Sequence, residues 1–119
     1  LSRQIELQDD TLVIRFTGLT GVAALKHQLE IPYSAIQKVS IEDIEMPLFT
    51  FRIGTSGFGI REGRFLVDGR WCFLSYENNE HVIVLELEEH EYWKVIFQAD
   101  DPESVVQSIK EKSSQLSRT

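Results

Sequence analysis

"RFLVDGRWCFLSYENNEHVIVLELEEHEYWKVIFQADDPESVVQSIK", residues 64–110, changes its hydrophobic period once, and that change decides the fold. Up to Ala99 apolar residues alternate with polar ones, or run together briefly, and Asp68-Gly69, Asn78-Asn79 and Glu89-His90-Glu91 interrupt them. A period of two marks strands, and Asp-Gly between two apolar runs is a strong hairpin signal. From Asp100 the period lengthens. Asp101 is placed to cap a helix, Pro102 to fill its first position and Glu103 to face the positive end of its dipole. Val105, Val106, Ile109 and Leu116 follow as one apolar stripe at helical spacing, with Lys110, Lys112 and Arg118 toward the negative end.

The text upstream is also β in character. "QIELQ" (4–8) and "TLVIRF" (11–16) flank the turn residues Asp9-Asp10 and predict an opening hairpin. Ile5 and Leu7 share a face; Leu12, Ile14 and Phe16 lie opposite Thr11, Val13 and Arg15. "GLTGVAAL" (18–25) reads as a helical turn or an irregular crossing. "HQLEIP" (27–32) is a short strand stopped by Pro32, which cannot donate to a ladder. "YSAI" (33–36) makes a corner, "QKVSIED" (37–43) alternates with Val39 and Ile41 inward, and "MPLFTFRIG" (46–54) is extended. The count is about seven strands and one closing helix. Regular hairpin spacing without long intervening helices predicts an antiparallel barrel or sandwich, with the helix plugging its open end. The chain of 119 residues makes a single domain, residues 1–119, with a core over about 4–112 and a fraying tail at 113–119.

Three segments carry a resemblance: "LEIPYSAIQKVSIED" (29–43), "FRIGTSGFGIREGRFLVDGRWCFLSY" (51–76) and "WKVIFQADDPESVVQSIK" (93–110). Together they resemble the bacterial pleckstrin-homology domain families. The resemblance implies a PH-like fold: seven antiparallel strands in two near-orthogonal sheets, capped by a C-terminal helix. It implies a binding module rather than an enzyme. Phosphoinositide-binding members place lysines and arginines around the first hairpin loop. Here that hairpin is "IELQDDTLVIRF" (5–16), with Glu6, Asp9 and Asp10 at the turn and only Arg15 beyond it. Two aspartates there repel an inositol phosphate, so phosphoinositide binding is not expected.

Composition removes other classes. A formal net charge of −7 argues against nucleic-acid binding, which needs a basic face. One cysteine, Cys72, rules out an intramolecular disulfide and fits a reducing compartment, so a cytoplasmic location is expected, with a flanking segment outside this sequence as the route to any membrane. No catalytic residues, metal or cofactor are expected. Cys72 sits within an alternating strand; His27, His81 and His90 lie in separate strands or turns. Glu86 and Glu88 share a face that excludes Glu89, which does not suit a metal cluster.

Two features point to partners. The stretch "RIGTSGFGIREGRF" (52–65) lacks the lysine and hydroxyl of a phosphate-binding loop, so its glycines read as turns, bulges or close chain approach. Arg52, Arg61, Arg64 and Arg70, against Glu62 and Asp68 alone, make the 52–70 segment net +2 and leave −9 for the rest of the chain. These arginines are either solvated ion-pair partners or a site for an anion or an acidic partner. In "HVIVLELE" (81–88), Val82 and Val84 point opposite to Ile83, Leu85 and Leu87, so both faces are apolar. The second face lies under the helix or a loop, or is an interface with another subunit. The expected function is protein–protein interaction or self-association into a homo-oligomer, through a sheet edge or this apolar face. The alternative is an anion or lipid head-group site on the arginine cluster.

Overall fold

The computed structural model of the chain describes residues 2–17, 28–44, 51–57, 60–67, 69–78 and 80–117. It is mainly β with one C-terminal helix. Strands β1 (Ser2–Leu7), β2 (Thr11–Thr17) and β3 (Gln28–Pro32) form a three-stranded antiparallel sheet. A 3-10 turn at Tyr33–Ala35 leads into β4 (Ile36–Glu42). Then come β5 (Phe51–Gly57), β6 (Ile60–Val67), β7 (Arg70–Tyr76), β8 (Val82–Leu87), β9 (Lys94–Phe97) and helix α1 (Pro102–Ser117). The second sheet runs β4-β8-β9-β7-β6-β5. The segments 18–25 and 46–49, expected as a crossing and as extended chain, lie outside the described residues.

The described residues hold nine strands where the sequence predicts about seven. The glycine-rich stretch accounts for part of the excess, because it is a hairpin and not a connection. Gly54 and Gly63 face each other in the β5–β6 ladder, and Gly63 takes a φ of 128° that suits a residue without Cβ. A second difference concerns direction. The hairpin signals predict antiparallel pairing throughout, but β7 and β9 are parallel, with Cys72 opposite Lys94 and Ser75 opposite Phe97. The turn after β7 carries the chain one place too far for β7 and β8 to pair, and β9 returns into the gap between them. The hairpin expected at Asp68-Gly69 is present, since Val67 pairs with Arg70 and Gly69 has a φ of 78°; Asp68 itself lies outside the described residues.

Register explains the core. One face of the large sheet carries Val39, Leu85, Val95 and Phe73 in a row across β4, β8, β9 and β7, and Ile41, Ile83 and Phe97 in the next. This face packs with Leu12, Ile14, Leu29 and Ile31 of the small sheet and with Val106 and Ile109 of α1 in one cluster. The helix lies on β4, the 3-10 turn and β8. The other face forms a second cluster of Phe65, Cys72, Leu74, Tyr76, Val82, Val84 and Ile96, with Ile44 and Trp93 at its margin. Val13, expected opposite the core, is buried as well.

Local bonds lock these layers. The Ser104 amide donates to the Asp101 carboxylate at 3.3 Å, which makes Asp101 the N-cap. The Tyr33 hydroxyl donates to the Gln8 carbonyl at 2.8 Å and its amide to the Asp10 carbonyl at 3.1 Å, fastening the 3-10 turn to the first hairpin. Burial, then the nearby Asp9, raises the Tyr33 phenol pKa. Helix α1 continues to Ser117, through most of the stretch expected to fray.

Candidate functional site

The ladders separate the four arginines singled out from sequence. Arg52 pairs with Phe65, Arg64 with Phe73, Arg61 with Tyr76, and Arg70 with Val67. Tyr76 and Arg70 are six residues apart on β7, so Arg61 and Arg70 stand at opposite ends of the ladder, about 20 Å apart at 3.3–3.4 Å per residue. Pairing across the sheet also puts Arg64 in the register set of Phe73 and Trp71, and Arg70 in the set of Cys72 and Leu74. The four therefore do not converge on one small anion. The side chains of Arg52 and Arg61 lie outside the described residues.

Other cations gather instead. The Arg70 guanidinium lies 4.1 Å from the centroid of the Trp93 ring, and the Lys94 ammonium 4.6 Å from the same centroid. Arg64 sits 5.5 Å above Trp71. Each such contact contributes roughly 0.5–1 kcal/mol at an exposed site. Lys94 belongs to a row that continues through Glu86 to Lys38. Lys38 and Glu86 are 3.9 Å apart and exposed, so their pairing adds little. Trp93 and Lys94 were missed as partners of Arg70 because the β7–β9 pairing is not visible in the local text.

Tyr92 belongs to the core cluster that joins the two sheets to α1. It is 1% exposed, and its ring packs at 5.5 Å from Phe73. Its hydroxyl closes no hydrogen bond with a protein group, although the Arg64 guanidinium is near enough to pull its pKa down. Burial first, then Glu91, outweigh that pull and push the phenol up to about 12.

Val82 and Val84, proposed from sequence as interface residues, are 0% and 2% exposed. They are core of the chain itself. The two-faced apolar pattern is therefore satisfied within the chain, and these side chains offer no surface to a partner.

The histidines have structural work. The Tyr92 amide donates to His90 Nδ1 at 3.1 Å, so Nε2 carries the proton and donates to the Glu30 carbonyl at 3.2 Å. His81, at a φ of 57°, donates its amide to Asp43 at 2.8 Å and sets Nε2 2.6 Å from Glu103. This links the end of β4 to the first turn of α1. Glu88, Glu89 and Glu91 lie in the bends between β8 and β9, and among the described residues no group of three His, Cys, Asp or Glu is arranged to hold a metal.

A cleft of about 480 Å³ opens where β1, the ends of β7 and β9 and the start of α1 meet. Arg3, Glu77, Gln98, Asp100 and Asp101 line it. Arg3 is partly buried there, its side chain 8% exposed, donating to Ser75 O at 3.2 Å and Ser75 Oγ at 2.8 Å and pairing with Glu77. It ties the small sheet to the large one and is committed to that task.

The sheet edges differ from one another. β4 is bordered by α1, breaks register between Ile36 and Lys38, and carries Lys38. β3 ends on Pro32, and β1 carries Arg3 and Glu6. These are the features that blunt an edge against further pairing. β5, "FRIGTSG", is seven residues long, has no proline, and pairs among the described residues with β6 alone.

Compared with family models, curated proteins and solved structures, the chain matches none.

Proposed function

We propose that this protein is a non-catalytic interaction module, of the bacterial pleckstrin-homology-like type that its sequence resembles, and that it binds by adding an extended segment to the outer edge of β5. The observation that carries this is the contrast between edges: β5 is seven residues long, proline-free and unbroken in register, with Arg52 its one charge, while the others carry a bulge, a proline or a pair of charges. An added strand satisfies the backbone groups of such an edge, and alternate side chains set specificity. The closing helix supports the kinship; the parallel β7–β9 pair departs from it. No helix among the described residues is long and apolar enough to cross a membrane, and the single buried cysteine favours a reducing compartment such as the cytoplasm. Selection from a displayed library of random peptides, with NMR mapping of the selected sequences, tests the reading. Shift changes concentrated at the amides of 51–57 are expected. Selected peptides that map to any other edge or face refute it.

One observation favours a second reading. Arg70 and Lys94 share the Trp93 ring, and Lys38 offsets the Glu86 that stands beside Lys94, which leaves a locally cationic patch on an acidic protein. It suits an anion such as a lipid head group. Flotation with anionic vesicles, repeated with Arg70→Glu and Lys94→Glu, tests it. Protein that stays with the unbound fraction excludes this reading.

A further inference from the structure

The sequence of β5 is polarised about its central residue. About Gly54, three large residues precede and three small ones follow: Phe51, Arg52 and Ile53, then Thr55, Ser56 and Gly57. We infer that the segment added to β5 is β5 of a second copy of this chain, running antiparallel about a two-fold axis at Gly54. This rests on the reading of β5 as the binding edge and names its occupant.

A two-fold antiparallel pair centred on Gly54 brings Phe51 opposite Gly57 of the second copy, Arg52 opposite Ser56, and Ile53 opposite Thr55. Each bulky position meets a small one on both sides of the axis, because an isologous contact repeats every pairing. Gly54 meets itself, at the point where it already faces Gly63 on the inner side of the sheet. The charge pattern agrees. The only ionised residue of the strand, Arg52, lands against a serine, and the two copies of Arg52 are four residues out of register, about 14 Å apart along the strand. That exceeds the screening length at physiological salt, about 8 Å. A centre at Gly54 also pairs all seven residues of the strand. Moving the axis to either neighbour shortens the ladder and sets Ile53 against Ile53 or Thr55 against Thr55. The product is one continuous sheet formed from the two six-stranded sheets, with the outer edge of β5 paired in each copy.

The test combines mass with cross-linking. Native mass spectrometry and light scattering on the unmodified chain should give twice the 13.7 kDa mass. Two single variants, Ile53→Cys and Thr55→Cys, are then mixed under mild oxidation. The inferred register sets residues 53 and 55 opposite each other, within reach of a disulfide. In either variant alone the two cysteines are diagonal, roughly 8 Å apart at the Cα atoms and beyond the usual limit. The mixture should therefore give a mixed disulfide dimer, and each variant alone should stay largely unlinked. The native Cys72 is 2% exposed, so the unmodified chain serves as the unreactive control. Circular dichroism confirms that each variant is folded, and the mass of the unmodified chain stands independently of them. A monomer at every concentration overturns the inference; if selected peptides still map to β5, the binding-edge reading survives. A dimer whose variants link alone as readily as in mixture overturns the register and with it the inference. Peptides mapping away from β5 overturn both.

Discussion

Truncating Ile109 to alanine measures whether α1 belongs to the cooperative core. Ile109 is fully buried, in the cluster that joins the two sheets to the helix. The change deletes three carbons, each worth about 0.8 kcal/mol on transfer out of water, or about 2.4 kcal/mol. The site is enclosed by Val106 on its own helix and by residues of both sheets, so it cannot fully collapse, and the residual cavity brings the total to about 3–4 kcal/mol. That is a large share of the 5–15 kcal/mol typical of a domain. Urea unfolding followed by far-ultraviolet circular dichroism and by tryptophan fluorescence provides the assay, since Trp71 and Trp93 report on the sheets. The midpoint should fall sharply, with an unchanged slope and coincident transitions. Gln107→Ala, on the exposed face and bonded to Glu111, should lose no more than about 0.5 kcal/mol. A loss below about 1 kcal/mol for Ile109→Ala, or helix melting well before the fluorescence change, refutes a helix packed into the core.

Two tyrosines should respond oppositely to loss of their hydroxyls. Tyr33→Phe breaks the bond to the Gln8 carbonyl and should cost about 1 kcal/mol, whereas Tyr92→Phe removes a buried hydroxyl that closes no bond and should be neutral or stabilising in denaturant titrations. Tyr92 also predicts alkaline behaviour. Its folded pKa of about 12 lies above the unfolded value of 10, so its contribution is intact below pH 10 and is lost between pH 10 and 12; Tyr92→Phe should flatten that limb of the stability curve. Gly69→Ala should cost about 1–2 kcal/mol, because a φ of 78° strains any residue with a Cβ even though the space beside it is open; an unchanged thermal midpoint counts against the turn geometry. The His81 hydrogen bond holds the Glu103 carboxyl below its usual 4.5, and a depressed carboxylate adds stability above that value and loses it as pH falls through the folded pKa. Glu103→Gln should therefore flatten the stability curve below pH 4.5.

The parts of the fold that were legible in the text are those whose signals are local. Asp101-Pro102-Glu103 marked the helix start, Asp68-Gly69 a two-residue turn, and Pro32 the end of β3, each through a constraint on its own backbone. The pairing of β7 with β9 was not legible, because no residue of "YWKVIF" says which neighbour it will join. The site suffered in the same way. Closeness in sequence grouped Arg52, Arg61, Arg64 and Arg70, but the ladders of β5, β6 and β7 disperse them, while Arg70 meets Lys94 on Trp93 across a parallel pair. Val82 and Val84 were rightly read as an apolar second face; what the pattern could not convey is that the same chain covers it. The Arg3–Glu77 pair, 74 residues apart, left no trace in the sequence pattern.

The four residues of β9 carry a consequence for assembly order. Among the described residues, Lys94–Phe97 are the sole join between a β5-β6-β7 meander and the β4-β8 pair. Each half can zip up by itself, and β9, an antiparallel neighbour of β8 a few residues away in the chain, can join the β4-β8 half locally. The large sheet is then completed when β7 docks in parallel on β9, and until that docking two apolar strands keep raw flanks toward one another. Weakening it should not fray the protein from its ends: it should split the large sheet down the middle and expose both flanks at once.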